Sequence, residues 1–144
     1  MQLSAIVPAT VPAPTLPRCL VALEHAGADE ILVADTPAGA TPALARNRAV
    51  ERASGDVLVF VDADVVVHAD ALQRIRARLR DPALDAVFGS YDDAPEAPGA
   101  VSGFRKLLQH DVQQAGAGHA DSFWSGIGAV RRSVKGLGHR DASA

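Results

Sequence analysis

The stretch VLVFVDAD, residues 57–64, joins a fully apolar run to two carboxylates. A run that is apolar at every position, without alternation, predicts a strand buried on both faces of a largely parallel sheet. Moving a charged group out of water costs free energy unless a partner compensates the charge. Asp62 and Asp64 therefore raise the question of which partner they meet where this strand ends.

Strands and helices alternate along the rest of the chain. The patterns predict strands at residues 3–7, 31–34, 57–61 and 86–88, a last strand within residues 123–130, and helices at residues 16–26, 41–55, 70–81 and 102–114. This alternation predicts the α/β class, with a mostly parallel sheet flanked by helices. A length of 144 residues fits a single domain over residues 1–144, in which residues 133–144 form a loose tail.

The composition indicates which kinds of partner are excluded and which cellular compartment to expect. The formal net charge of −3 argues against nucleic acid as a partner. A lone cysteine, Cys19, cannot form an internal disulfide, which fits a reducing compartment. The apolar runs are shorter than a membrane span, and the N-terminus lacks the basic start of a signal peptide. We therefore expect a cytoplasmic protein, either free or peripheral to the membrane.

Polar or turn-forming residues follow each of the first three predicted strands. Pro8 and Ala9 follow the first strand, Asp35 follows the second, and Asp62 and Asp64 follow the third. The carboxyl ends of parallel strands lie on one edge of a sheet, where open α/β proteins bind their ligands. The sequence thus predicts a ligand site at this edge.

Asp62 and Asp64 are the candidate metal ligands. Two carboxylates at positions i and i+2 where a strand ends can share one divalent cation, and hard oxygen donors suit Mg²⁺ or Mn²⁺. Such an ion would also compensate two charges beside the core. The alternative is a solvated turn with an aspartate cap for the next helix.

Three more residues have both a binding and a structural interpretation. Asp35 either accepts hydrogen bonds from a nucleobase or forms an Asx turn before Pro37. Arg46 either bonds a base or a phosphate, or is an exposed helical arginine. Trp124 is either a platform for a sugar or a core residue.

Two later pairs also stay open. Asp92 and Asp93 either help to bind a second substrate or solvate a loop, and Arg131 and Arg132 either meet a diphosphate or form a solvated end. Common signatures such as G-x-x-x-x-G-K-[ST], G-x-S-x-G and C-x-x-C are absent from the sequence. The acidic strand end therefore remains the main indication of function.

The order of four segments resembles a known family. These segments are AIVPA (5–9), EILVAD (30–35), ARNRAVERASGDVLVFVDADVVVHADAL (45–72) and FWSGIGAVRR (123–132). They are similar to the ordered motifs of family 2 glycosyltransferases, which have the GT-A fold. The resemblance implies a transferase that uses a nucleotide-diphosphate sugar, an acceptor that the sequence does not name, and Mn²⁺ or Mg²⁺ as the cofactor.

The resemblance also implies a role for each matching residue. Pro8-Ala9 would lie along the nucleoside, Asp35 would accept from the base, and Arg46 would lie near the base or the diphosphate. Asp62 would face the ribose or the outer shell of the metal, and Asp64 would coordinate the metal on the diphosphate. In an inverting member, a carboxylate base would deprotonate the acceptor hydroxyl.

The chain departs from the family pattern in two places. Family members usually have a further helix and strand before the A-R-N element, whereas here about ten residues separate it from Asp35. The segment RRSVKGLGHRDASA stops short of the family's later acidic motif, and Asp141 is too weak a match to be the base. We therefore expect a member shortened in the middle and truncated at the C-terminus, with an unpaired sheet edge that invites a homodimer.

Two alternatives to an active transferase follow from the same residues. The first is a degenerate GT-A module that binds its ligand without catalysis, which the missing base favours. The second is a phosphohydrolase similar to the haloacid dehalogenases, in which Asp62 would be the nucleophile and Asp64 an acid or base. That alternative gives no explanation for the A-R-N helix.

Overall fold

The computed structural model describes residues 1–9, 13–36, 39–89 and 126–134. Along the chain its elements are β1 (Leu3–Ala9), α1 (Leu16–His25), β2 (Glu30–Asp35), α2 (Pro42–Arg52), β3 (Val57–Val61), α3 (Ala71–Arg78), β4 (Ala86–Phe88) and β5 (Ile127–Arg131). The α/β prediction is confirmed. The helix predicted at residues 102–114 lies outside the described residues.

The strands form one sheet in the order β2-β1-β3-β5-β4. Strand β1 pairs in parallel with β2 and β3, and β5 pairs antiparallel with β3 and β4. Among the described strands, four thus point one way and β5 is reversed. The mostly parallel sheet is confirmed, and the reversed direction of β5 is a feature that no sequence pattern indicated.

The first strand continues past the residue predicted to stop it. Pro8 and Ala9 belong to β1, where they pair with Ala34 and Asp35 of β2. The pairing of β1 with β3 ends at Ile6, so the missing N–H of Pro8 interrupts no bond to β3. The prediction that Pro8 and Ala9 follow the strand is therefore wrong.

Apolar side chains cover both faces of the sheet. Helices α1 and α3 pack on one face, and their core residues join those of β1 and β3: Leu3, Ala5, Val7, Cys19, Leu23, Val57, Val59, Val61, Leu72, Ile75 and Leu79. Helix α2 packs on the other face through a stripe of alanines against the alternate strand residues: Ile6, Ala34, Ala45, Ala49, Ala53 and Leu58. The prediction that residues 57–61 are buried from both sides is confirmed, with Phe60 half-buried.

The helix ends follow local chemistry with one exception. Gly27 ends α1 with a φ of 85°, a value that favours glycine. Thr41 caps α2, because its hydroxyl accepts from the Leu44 N–H at 3.3 Å. The predicted closure of α2 at Gly55 is wrong, since the helix ends at Arg52 and the backbone is already extended at Ala53.

Two carboxylates bind main-chain and side-chain donors at the amino edge of the sheet, opposite the predicted ligand edge. Asp29 accepts from the Leu3 N–H and from Arg76, each at 2.8 Å. Glu30 accepts from the Ser4 hydroxyl and from the Ser54 N–H at 2.9 Å. The bonds from Leu3 and from Ser4 are the largest causes that lower the pKa of Asp29 and of Glu30, respectively.

These two carboxylates predict an acid-sensitive fold. A carboxyl whose pKa is lower in the folded state binds more protons after unfolding. Its contribution to the free energy of unfolding is therefore complete above about pH 4 and is lost as the pH falls further. We expect the free energy of unfolding of the double variant Asp29→Asn, Glu30→Gln to depend less on pH below about pH 4 than that of the wild type. Urea unfolding from pH 7 to pH 3 measures this dependence.

Glu24→Gln, on the exposed face of α1, removes a carboxylate without touching either set of bonds and serves as the control. It should keep the acid dependence of the wild type. If the free energy of unfolding fell equally with pH in the wild type and in the double variant, Asp29 and Glu30 would not be the cause of the acid sensitivity.

Candidate functional site

The carboxyl ends of the parallel strands meet at one edge, as predicted. Ala9 is the partner of Asp35 in the register, and Thr36 N–H donates to the Ala9 carbonyl at 3.2 Å. Asp62 directly follows β3 at the same edge. The structure therefore brings Ala9, Asp35 and Asp62 to one border of the sheet, with Asp35 and Asp62 exposed.

Residues 62–65 form a turn, here called the acidic turn. The Val65 N–H donates to the Asp62 carbonyl at 3.0 Å, and the Asp62 N–H donates to the Gly126 carbonyl at 3.0 Å. Asp62 and Asp64 are both exposed. Both side chains lie beyond the end of the buried strand, where a ligand can reach them.

Helix α1 holds this turn from the side. The Thr15 hydroxyl donates to the Ala63 carbonyl at 2.8 Å, and the Cys19 thiol donates to the Asp62 carbonyl at 3.6 Å. Burial, followed by the charges of Asp64 and Asp62, raises the pKa of Cys19 to about 11. Cys19 therefore stays a protonated donor at neutral pH and is a poor nucleophile.

Helix dipoles add positive potential at this edge. Helix α2 follows β2, and α3 follows β3 through the acidic turn, so both begin at the carboxyl edge. Helix α1 also begins beside the acidic turn, through Thr15. N-terminal ends of helices carry partial positive charge and favour anions such as carboxylates and phosphates.

The donor set fits an ion that is shared with a ligand. The described residues hold no group of three or more His, Cys, Asp or Glu side chains with metal-binding geometry. Asp62 and Asp64 offer two hard carboxylates on one exposed turn. Mg²⁺ is commonly bound through one or two carboxylates together with substrate phosphates and water, and Mn²⁺ also accepts hard oxygen ligands.

The remaining predicted residues fall into two groups. Arg46 is exposed on α2, in the half of the helix that begins at the carboxyl edge. Trp124, Asp92, Asp93 and Asp141 lie outside the described residues. For these four, the sequence predictions stay predictions.

Arg131 and Arg132 lie at the opposite edge, so the structure does not favour the one of their two interpretations in which they meet a diphosphate. Strand β5 is antiparallel to β3, so its C-terminal end lies beside the start of β3. The Arg131 guanidinium donates to the Leu79 carbonyl, and that of Arg132 donates to the Ala53 carbonyl. Leu79 and Ala53 are the C-cap residues of α3 and α2, whose carbonyls need such donors.

Thr36 is a further residue of this edge, and no sequence pattern indicated it. Its hydroxyl oxygen is shielded from solvent and has no hydrogen-bond partner within the part of the chain that the structure describes. A threonine that follows a strand is common in solvated turns, so no sequence signal marks it. A buried polar group without a partner normally lowers stability.

Replacing Thr36 with valine should stabilise the protein. The change keeps the branched shape and removes the unpaired hydroxyl, so we expect the free energy of unfolding to rise by about 1 kcal/mol. The matched control is Thr41→Val, which deletes the hydroxyl that caps α2 and should lower the same quantity by about 1 kcal/mol. Chemical denaturation of both variants measures whether each change raises or lowers the free energy of unfolding. A loss of stability in Thr36→Val would show that its hydroxyl has a partner.

Comparison with known proteins identifies the family. The model of glycosyl transferase family 2 matches residues 36–134, which is more than half of the chain. The chain belongs to glycosyl transferase family 2. The matched range includes α2, β3 and the acidic turn.

Similar proteins support the same assignment. An N-acetylglucosaminyltransferase of Rhizobium leguminosarum bv. trifolii is 39% identical over 41 residues, which are 28% of this chain and 22% of that protein. Glucosyl-3-phosphoglycerate synthase from Mycobacterium tuberculosis, solved with Mn²⁺, UDP-glucose and phosphoglyceric acid, has a TM-score of 0.61 at 18% identity, covering 91% of this chain and 57% of that chain. TarS 1–349 from S. aureus, solved with UDP-GlcNAc, has a TM-score of 0.53 at 19% identity, covering 69% of this chain and 38% of that chain.

At these identities the structural likeness establishes the fold, and the GT-A fold expected for this family 2 chain is confirmed. The chain spans about a fifth of the curated relative and less than two thirds of either solved protein. Residues 36–41 alone connect β2 to α2, so the predicted shortening before the A-R-N helix is also confirmed. None of the described helices is both long and apolar enough to cross a membrane.

Proposed function

We propose that this family 2 chain binds a uridine-diphosphate sugar at the carboxyl edge of its sheet, with Mn²⁺ or Mg²⁺ held by Asp64 and Asp62. The observation that carries the proposal is the acidic turn: two exposed carboxylates at the end of β3, on a backbone held by Gly126, which precedes β5, and by Thr15 at the start of α1. In the reaction class of the family, the bound ion would offset the charge that develops on the leaving nucleoside diphosphate.

The other residues of the edge would orient the donor. Pro8 and Ala9 would lie along the nucleoside, and Asp35, exposed beside Ala9, would accept from a base N–H. Asp62 would contact the ribose or the outer shell of the ion, and Asp64 would be the direct ligand. The positive ends of the helices at this edge support an anionic diphosphate there.

Arg46 and Trp124 complete the proposed donor contacts. Arg46 is exposed on α2, where its guanidinium has room to bond the base or the diphosphate. Trp124 would provide a platform for the sugar, as predicted from the sequence. Neither contact is needed for the metal-binding step, so the two residues can be tested separately.

Uridine is the favoured base because both solved proteins named above were crystallised with UDP-sugars. Those complexes contain glucose in one protein and N-acetylglucosamine in the other. UDP-glucose and UDP-GlcNAc are therefore the two donors to test. The acceptor and the catalytic base are not assigned to any described residue.

Titration calorimetry of the full chain with UDP, with and without Mn²⁺, tests the proposal. We expect binding that requires the metal. Equal affinity with and without Mn²⁺ would contradict metal-dependent donor binding. Metal-dependent phosphate release from a simple phosphomonoester, abolished by Asp62→Asn, would instead support a phosphohydrolase.

Activity distinguishes a transferase from a degenerate binding module. Hydrolysis of either UDP-sugar, or transfer to an added acceptor, would support a catalytic chain. Metal-dependent UDP binding without hydrolysis or transfer would support the non-catalytic module. The family match over residues 36–134 favours both of these over the phosphohydrolase, whose resemblance is confined to a single strand end.

Three further expectations from the sequence remain proposals. They are a single domain over residues 1–144, a cytoplasmic location, and a homodimer formed along β2. Strand β2 is the outermost strand on its side of the described sheet, and an unpaired edge can accept a strand from a second copy. Light scattering of the purified chain would test the dimer, and a monomer at all concentrations would contradict it.

A further inference from the structure

Helix α1 contacts the acidic turn through two side chains on one of its faces. The Thr15 hydroxyl donates to the Ala63 carbonyl at 2.8 Å, and the Cys19 thiol donates to the Asp62 carbonyl at 3.6 Å. Residues four apart lie on the same side of a helix, so both donors face the turn. Two successive carbonyl oxygens between the candidate ligands therefore receive hydrogen bonds from one helix.

The bond from Thr15 replaces the bond that its position would normally make. Thr15 occupies the N-cap position of α1, but its side chain makes no capping hydrogen bond. A threonine there usually accepts from a backbone N–H of the first turn, as Thr41 does for α2. The hydroxyl of Thr15 is thus used to hold a segment 48 residues away instead of its own helix.

The same turn is also held by Gly126, the residue before β5. The Asp62 N–H donates to the Gly126 carbonyl at 3.0 Å, and the Asp62 carbonyl also accepts from Val65 N–H at 3.0 Å. Together with Thr15 and Cys19, these bonds fix the backbone on both sides of Ala63. The carboxylates of Asp62 and Asp64 remain exposed while the chain that carries them is held.

We propose that Thr15 and Cys19 are positioning residues of the metal site. They hold the backbone between Asp62 and Asp64, so the turn is already ordered when Asp64 binds a Mn²⁺ or Mg²⁺ ion directly and Asp62 reaches the outer shell of that ion. The inference rests on the proposed function, because it assigns a role toward the ion that Asp62 and Asp64 would share. Neither Thr15 nor Cys19 contacts the ion itself.

The physical reason is preorganisation. An exposed turn that is free to move would lose conformational entropy when its two carboxylates share an ion. A turn already fixed by neighbouring elements loses less, so its affinity for the ion is higher. Partners that orient metal ligands from outside the coordination sphere typically change affinity by about 10–100-fold.

The decisive pair of variants is Thr15→Val and Thr15→Ser. Valine keeps the shape and removes the donor, whereas serine keeps the hydroxyl. Electron paramagnetic resonance of free Mn²⁺, in the presence of saturating UDP and the full chain, gives the Mn²⁺ concentration at half saturation. We expect about a tenfold rise for Thr15→Val and a value near that of the wild type for Thr15→Ser.

Cys19→Ala should raise the half-saturation concentration less, by about threefold, because a thiol is a weak donor. Ser54→Ala is the matched control at the opposite edge, where it removes a hydroxyl that donates to Glu30 at 3.2 Å. A purely structural role would lower the thermal midpoint and leave the Mn²⁺ dependence of the folded protein unchanged. The Mn²⁺ midpoint therefore separates positioning from stabilisation.

Three outcomes would overturn the inference. A Thr15→Val midpoint within about twofold of the wild type would show that the hydroxyl does not affect the site. Equal rises in the valine and serine variants would show that the effect does not depend on the hydroxyl. A wild type that binds no Mn²⁺ in the presence of UDP would overturn the proposed function as well. This outcome is distinguishable from the other two, because in those the wild type does bind Mn²⁺.

Discussion

Alanine in place of Asp64 should weaken Mn²⁺-dependent binding of UDP by at least about 100-fold. Partners outside the coordination sphere alone are worth about 10–100-fold, and Asp64 is the proposed direct ligand. The side chain is exposed on the acidic turn, so its removal should leave the fold intact. Calorimetry with UDP and Mn²⁺ measures the loss, and the thermal midpoint confirms that the variant is folded.

Asp70→Ala is the matched control for Asp64→Ala. Asp70 is also an exposed aspartate, and although it is at the N-cap of α3, its side chain makes no capping hydrogen bond. Asp70→Ala removes the same charge close to the turn and should change the affinity for UDP by less than about twofold. If the two variants lost affinity equally, the effect of Asp64 would be one of net charge and not of coordination.

The change Gly55→Ala should lower the free energy of unfolding by about 2–4 kcal/mol, from overpacking and a lost hydrogen bond. A Cβ atom at this position would lie 2.6 Å from the Ser4 hydroxyl, 2.7 Å from the Ser4 nitrogen and 2.9 Å from the Gln2 carbonyl. Ser4 is fully buried, and its hydroxyl accepts from the Gly55 N–H at 2.8 Å. The added methyl group therefore displaces a buried strand and strains this bond.

Urea unfolding of Gly55→Ala measures the loss of stability, with Ser54→Ala as the neighbouring control. Ser54 is exposed, and its hydroxyl makes one bond to Glu30, so its loss should cost about 1 kcal/mol or less. A loss below about 0.5 kcal/mol for Gly55→Ala would contradict the close approach of residue 55 to β1. Because Gly55 lies at the edge opposite the acidic turn, the folded fraction should still bind UDP with Mn²⁺.

Much of the fold is predictable from residues 57–61 and from the spacing of the helices. A strand that is apolar at every position needs cover on both faces, and Leu72, Ile75 and the alanines of α2 provide it. The direction of β5, by contrast, is not predictable from the sequence. An isolated apolar strand carries no signal for parallel or antiparallel pairing, and the reversed direction moves Arg131 to the edge opposite the acidic turn.

The candidate site is predictable where it depends on strand ends alone. Asp35 and Asp62 share an edge because parallel strands end together, which the order of elements already implies. The partner of Thr15 is not predictable, because the sequence favours a local cap and the actual acceptor is a backbone carbonyl 48 residues away. The unpaired hydroxyl of Thr36 likewise depends on tertiary packing and not on local sequence.

A crystal of the full chain soaked with UDP and Mn²⁺ is the decisive test of the proposed donor site. We expect an anomalous manganese peak between Asp64 and the diphosphate, with Asp62 on the ribose side and Asp35 near the uracil. The hydrogen bonds from Thr15 and Cys19 to the acidic turn should persist in the complex. UDP bound away from the acidic turn, or bound there without manganese, would exclude a metal-dependent donor site at this edge.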